Sequence, residues 1–162
     1  MNDFPAVKFK LLRPGSRLPQ RGTEHSGAFD IFAPEDGCLA PHERKKVPTG
    51  IAHEVCQTFS VVTDEKGVQT KIPFTLQGLL IPRSGLASRG IRLYFSPCLI
   101  DADFRGEVMI GLENLSETDF WWEAGDRLVQ IAYVPMYMGG AIAVDELSDT
   151  SRGSGGFGST GT

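Results

Sequence analysis

The sequence lacks the features of a membrane or disulfide-stapled protein. No apolar run approaches the roughly 20 residues a bilayer-spanning helix needs. The opening residues, MNDFPAVKFK, hold no long apolar core of a secretory signal. Cysteine is scarce: Cys38, Cys56 and Cys98 are odd in number, and no two stand at metal-ligand spacing. Reduced thiols in a cytoplasmic protein are the expectation, nuclear by diffusion or in a host cytoplasm if the source is viral. A basic excess is missing too. The 16 Lys+Arg against 20 Asp+Glu leave a net charge of -4, which speaks against a nucleic-acid polymer as partner. A small phosphorylated ligand needs only a few placed donors and stays open. His25, His42 and His53 are unclustered and read as solvated or structural. Room for long helices is also lacking, because 19 Gly and 10 Pro interrupt the chain every few residues.

What fills the gaps is strand-like. Val7 to Leu11 alternates, and residues 107–112 and 129–134 are rich in β-branched and apolar side chains. Residues 56–77 read as a hairpin, with runs at 59–62 and 68–76 and a turn at Asp64-Glu65-Lys66-Gly67. One short helix is predicted, Ser84 to Ser88. At 162 residues the chain is one domain's length, and the pattern predicts an all-β sandwich, jelly roll or barrel. Trp121 and Trp122 read first as packing residues.

Four segments carry polar groups suited to chemistry. In Pro82-Arg83-Ser84-Gly85-Leu86-Ala87-Ser88-Arg89-Gly90, Arg83 offers a planar donor fork, and Ser84 and Gly85 open a helix whose N–H groups can face an anion. A capped turn with a surface arginine stands level with that reading. In Leu99-Ile100-Asp101-Ala102-Asp103-Phe104-Arg105-Gly106-Glu107-Val108, the two acids point to opposite faces of an extended chain. Asp101 at an apolar wall can hold a water, with Asp103 facing solvent or pairing with Arg105, although spacing alone favours a plain polar turn. Arg127 and Gln130 follow the turn at Gly125-Asp126 and can reach phosphate oxygens, or simply form a solvated strand entrance. The Gly/Ser-rich tail, residues 151–162, carries Arg152, Phe157, Ser159 and Thr160. Composition alone prefers a flexible end, yet glycines permit close backbone approach to an anion and an aromatic ring stacks on a base.

The order of these segments is more telling than any one of them. Together with Ala28-Phe29-Asp30-Ile31-Phe32-Ala33 near the start, they resemble the five motifs of the trimeric deoxyuridine triphosphatase (dUTPase) family along nearly the whole chain. The resemblance implies a jelly-roll-like β-clip subunit spanning residues 1–150, a C-terminal arm over 151–162, and a homotrimer with active sites shared between chains. It implies Mg²⁺-assisted hydrolysis of dUTP to dUMP and pyrophosphate, with Asp101 orienting the attacking water. Arg83, Ser84, Gly85 and Gln130 would hold phosphates, and Arg152, Ser159 and Thr160 the γ end. Phe157 would cover the base, with Gly158 beside it. Phe104 would pack under the deoxyribose, where the family usually has a tyrosine. Phe95, Cys98, Leu99, Ile100 and Met109 would line the base site. Mg²⁺ would ride mainly on the triphosphate, with Asp30 assisting through water.

Two departures open alternatives. The family reads uracil with a hairpin leading into the Asp101 motif, often with an Asn and a Gly where this chain has Phe95 and Cys98. Another pyrimidine deoxynucleotide, such as dCTP or a modified dUTP, is therefore the rival substrate; a same-fold dCTP deaminase is disfavoured by the intact arm. The stretch over residues 56–77 exceeds the family's usual length. It reads as a tolerated surface insertion or, more sharply, as a protein-partner element of a regulatory trimer.

Overall fold

Short amphipathic runs between glycines and prolines give short strands, and the computed structural model, which describes residues 7–55 and 57–156, is built from them. In chain order they are β1 (Lys8–Leu11), β2 (Gln20–Arg21), β3 (Ala28–Phe32), β4 (Gly37–Leu39), β5 (Arg44–Pro48), β6 (Ile51–Glu54), β7 (Gln57–Thr63) and β8 (Gln69–Pro82). Helix α1 (Ser84–Ala87) follows, then β9 (Ile91–Leu93), β10 (Cys98–Ile100), β11 (Met109–Asn114), β12 (Phe120–Trp122) and β13 (Arg127–Tyr137).

The largest sheet runs β10-β8-β13-β3-β2, with β7 also paired to β8. A second sheet has the order β5-β11-β9, and β1-β6 and β12-β4 form two-stranded ribbons. Every pairing among the described residues is antiparallel. The core lies where inward side chains of these sheets meet, with Ile31, Leu39, Ile51, Leu80, Ile110 and Ile131 fully enclosed. This is the all-β, jelly-roll-like architecture expected from the sequence.

Three local expectations hold and three need correction. The predicted hairpin forms: β7 and β8 pair from Gln57↔Thr75 to Thr63↔Gln69. Its turn is fixed by the Asp64 carboxylate, which accepts from the Lys66 and Val68 N–H groups at 2.9 and 2.8 Å, while Gly67 takes the positive φ of 79°. The short helix forms one residue shorter than predicted, and the 129–134 strand is longer, pairing with β8 from Val129↔Pro82 to Tyr137↔Phe74. The strand expected from Glu107 begins instead at Met109 and ends at Asn114. The hairpin expected before Asp101 is not formed: β9 pairs with β11 and β10 with β8, so the intervening chain crosses between sheets. The two tryptophans split, Trp122 entering the core and Trp121 remaining exposed.

Candidate active site

Asp101 leaves the end of β10, whose register sets Ile100 opposite Gly78 and Cys98 opposite Leu80 of β8. There the chain turns, the Phe104 N–H donating to the Asp101 carbonyl at 3.0 Å. Asp101 and Phe104 are exposed. The Phe104 ring lies across Gly106, where a Cβ would come within 2.6 Å of Phe104 Cζ, so glycine is what lets the ring lie flat. Arg105 does not pair with Asp103; its Nη1 donates to the Ala102 and Phe104 carbonyls at 2.7 and 3.1 Å, bracing the turn. Beside it opens a cavity of about 400 Å³, lined by Thr75, Gln77, Asp101, Asp103, Arg105 and Met138 among others.

Under the turn sit three residues that sequence reasoning missed. His53 Nε2 lies 3.2 Å from the Asp101 carbonyl oxygen and its Nδ1 2.8 Å from the Tyr133 hydroxyl. Gln77 Oε1 accepts from the Ala102 N–H at 2.6 Å. Burial pushes the His53 pKa down, a shift the hydrogen bond to Asp101 opposes and the Arg105 charge reinforces. Burial likewise pushes the Tyr133 hydroxyl up. A lone histidine in the run Ile51–Glu54 carries no sign of this; a polar residue following two apolar ones in a strand buried on both faces is the available signal.

The expected base-site residues fall on three elements. Leu99 is exposed, Cys98 and Ile100 are half-buried on β10, and desolvation raises the Cys98 thiol pKa. Phe95 packs edge-to-face on Tyr94 at 4.6 Å, and the two rings cover Gly111 of β11. Met109 starts β11 opposite Pro48.

A second polar cluster gathers around Asp30, which is 4% exposed in the middle of β3. Arg83 Nε approaches its Oδ1 at 3.3 Å, and Arg127 Nη1 donates to its Oδ2 at 3.2 Å. Arg83 Nη1 also donates to the Arg127 carbonyl at 2.8 Å. Asp30 Oδ1 has no well-aligned hydrogen bond among the described residues. Gln130 stands opposite Asp30 in the β3–β13 ladder and opposite Ile81 on β8. Ser84 and Gly85 open α1 with no side chain capping its N–H groups, and the space over Gly85 is empty. One buried carboxylate thus anchors two guanidinium groups beside open backbone donors, an arrangement suited to a polyanion. No group of three or more His, Cys, Asp or Glu among the described residues gathers to hold a metal ion.

The two clusters stand five to six residues apart along the C-terminal half of β8. Asp101 packs beside Gln77 and Gly78, whereas Arg83 follows Pro82. At about 3.3 Å per strand residue they are roughly 15–20 Å apart within one chain. Arg152 is exposed in a turn after Thr150. Phe157, Gly158, Ser159 and Thr160 lie outside the described residues. Among the described residues no helix is long and apolar enough to cross a membrane.

Comparison with known proteins places the chain in a family. The dUTPase family model matches residues 55–161. The deoxyuridine 5'-triphosphate nucleotidohydrolase of Nautilia profundicola is 37% identical over 156 residues, covering 96% of this chain and 98% of the relative. A dUTPase point variant of Staphylococcus bacteriophage 80alpha, solved with dUpNHpp, superposes with a TM-score of 0.80 at 25% identity, covering 97% of this chain and 99% of the other. A dUTPase variant from phage phi11 of S. aureus, solved to describe the coordination of a structural Mg(II) ion, has a TM-score of 0.72 at 20% identity, covering 89% and 99%. With the motifs in order, the fold matched and a relative of this identity along nearly its full length, the chain belongs to the dUTPase family.

Proposed function

We infer that this protein hydrolyses dUTP to dUMP and pyrophosphate, limiting dUTP and supplying dUMP. The observation that carries the reading is the family match along residues 55–161, with Asp101 on an exposed, braced turn. Other pyrimidine deoxynucleotides are the less favoured substrates. Asp101 is the group that orients and deprotonates a water for in-line attack on the α-phosphorus; the bond to the bridging α–β oxygen breaks and pyrophosphate leaves. Arg83, Arg127 and Gln130 hold phosphate oxygens together with the Ser84 and Gly85 donors, neutralising charge that grows on the leaving group. Phe104 lies under the deoxyribose and excludes a 2′-hydroxyl by bulk. Phe95, Cys98, Leu99, Ile100 and Met109 flank the base.

Mg²⁺ would be held mainly by triphosphate oxygens and water, with Asp30 of β3 supporting that shell indirectly. When bound, the ion supplies charge neutralisation on the phosphates.

The separation of Asp101 from the Asp30 cluster supports a site assembled from more than one subunit. With the Asp101 turn about 15–20 Å along the strand from Arg83, groups of a second chain have room to complete each cluster. In a homotrimer of the kind the family forms, the Asp101 turn of one chain would face the arginine bed of another. The arm over residues 151–162, with Arg152, Phe157, Gly158, Ser159 and Thr160, then closes the site as a lid that excludes water. Residues 56–77 are an insertion in the 1–150 domain.

The test is pyrophosphate release from dUTP, dCTP, dTTP and UTP with Mg²⁺, for the wild type and Asp101→Asn. Preference for dUTP that the substitution abolishes is expected. Turnover of none of the four overturns the reading, and preference for dCTP moves the base assignment.

A further inference from the structure

We propose that His53 and Gln77 are positioning residues that clamp the Asp101–Ala102 peptide unit from both sides and so fix where the Asp101 carboxylate points. This rests on the reading of Asp101 as the water-orienting group. The carbonyl of Asp101 and the N–H of Ala102 belong to a single peptide plane. His53, 2% exposed on β6, meets the carbonyl at 3.2 Å, and Gln77, 5% exposed on β8, accepts the N–H at 2.6 Å. A rigid plane held at both its polar atoms cannot rotate, and with Ile100 on its other side paired to Gly78 of β8, the direction of the Cα–Cβ bond at Asp101 is set between them.

The donors and acceptors admit one assignment. The Asp101 carbonyl can only accept, so His53 Nε2 carries a hydrogen, and in the neutral ring Nδ1 accepts from the Tyr133 hydroxyl at 2.8 Å. The same carbonyl takes the Phe104 N–H at 3.0 Å, which fills both of its lone pairs. The Ala102 N–H can only donate, so Gln77 must turn its carbonyl oxygen toward it. The other side of the Gln77 amide rests 3.9 Å from the Met138 sulfur. Gly78 clears the way for the imidazole: a Cβ there would lie 3.3 Å from His53 Cε1 and 2.9 Å from Ile131 Cδ1. Three strands thus converge on one peptide bond, β6 through His53, β8 through Gln77 and β13 through Tyr133.

A misdirected carboxylate would leave the substrate bound and the water badly placed, so the signature is a loss in kcat without a matching rise in KM. Steady-state kinetics with dUTP and Mg²⁺, dUpNHpp binding and trimer mass are measured for His53→Leu, Gln77→Met, Tyr133→Phe, His53→Gln and Gln77→Glu, with Asp101→Asn as reference. His53→Leu and Gln77→Met are expected to lower kcat about 10- to 100-fold, with KM and dUpNHpp affinity held within about twofold. His53→Gln keeps a donor and Gln77→Glu keeps an acceptor, and both should recover most of the rate. Tyr133→Phe, which removes one hydroxyl and no packing volume, should give a smaller loss of the same kind, testing the chain even if the larger substitutions disturb folding. The clamp is overturned if all three disruptive variants turn over at the wild-type rate while Asp101→Asn is inactive, or if their kcat loss is not recovered by the conservative pair. An active Asp101→Asn instead overturns the assignment of Asp101 itself.

Discussion

Asp30→Asn separates the ion cluster's contribution to stability from its contribution to binding. The substitution keeps the side-chain shape and removes one negative charge from between Arg83 and Arg127. Removing one partner from a fully buried ion pair costs about 3–5 kcal/mol, whereas a surface pair is worth about 0.2–1 kcal/mol. Here the carboxylate is enclosed, but the Arg83 and Arg127 side chains are 27% and 50% exposed and the contacts are long, at 3.3 and 3.2 Å. Water can therefore take up much of the guanidinium solvation, and the cost is about 1–2 kcal/mol. For a chain of this size, that lowers Tm by roughly 3–6 °C. Thermal unfolding is read at fixed subunit concentration, since association adds to apparent stability. The same loss frees Arg83 from its anchor, so KM for dUTP should rise roughly tenfold, equivalent to about 1.4 kcal/mol of lost phosphate binding. A Tm shift under about 1 °C together with an unchanged KM would refute the view that this carboxylate orders the arginine bed.

Three other outcomes are open to measurement. Truncation after Ser151 should cut turnover sharply while leaving the trimer assembled, read by pyrophosphate release and light scattering; unchanged turnover would mean the tail takes no part in the site. Gly111→Ala places a methyl about where the Phe95 and Tyr94 rings now rest, 2.6 Å from Tyr94 Cε1, and should displace them, raising KM for dUTP with a stability cost of about 1–3 kcal/mol. His53 has a folded-state pKa below its ordinary value because burial penalises the charged ring. The unfolded chain therefore binds the extra proton first as pH falls, so stability is full above the ordinary histidine pKa of about 6.5 and declines as pH drops toward the folded value. Unfolding curves from pH 8 to 5 should show that decline in the wild type and lose part of it in His53→Gln.

What the sequence made legible follows from how local each signal is. The hairpin expected over 56–77 was readable because an Asp-Glu-Lys-Gly turn sits between two β-rich runs, and Asp64 and Gly67 do in the fold what their chemistry suggests. The short helix was readable from Pro82 and the small residues after it. The strand pairing around Asp101 was not. Whether β9 and β10 pair with each other or with β11 and β8 depends on which sheet offers a free edge, and no property of residues 91–100 encodes that. The site residues divide in the same way. Asp101, Arg83 and Gln130 stand in recognisable motifs, whereas His53, Gln77 and Tyr133 act through partners 48, 25 and 80 positions away in sequence. Asp30 stands in a recognisable motif too, but its burial between Arg83 and Arg127 depends on strands distant in sequence.

The 14-residue β8 strand links the hairpin tip to the loop carrying Arg83 without a break. Side chains alternate faces along it, so losing or gaining one residue in its outer half alone would turn every later side chain to the wrong face, or force a bulge to absorb the change. Length can therefore drift in this family member only in matched steps, one residue from β7 for each from β8, counted from the Asp64–Gly67 turn. The tip becomes a graft site whose cargo can vary widely in sequence, while the ladder beneath it keeps Gln77, Gly78 and Pro82 in phase with the chemistry.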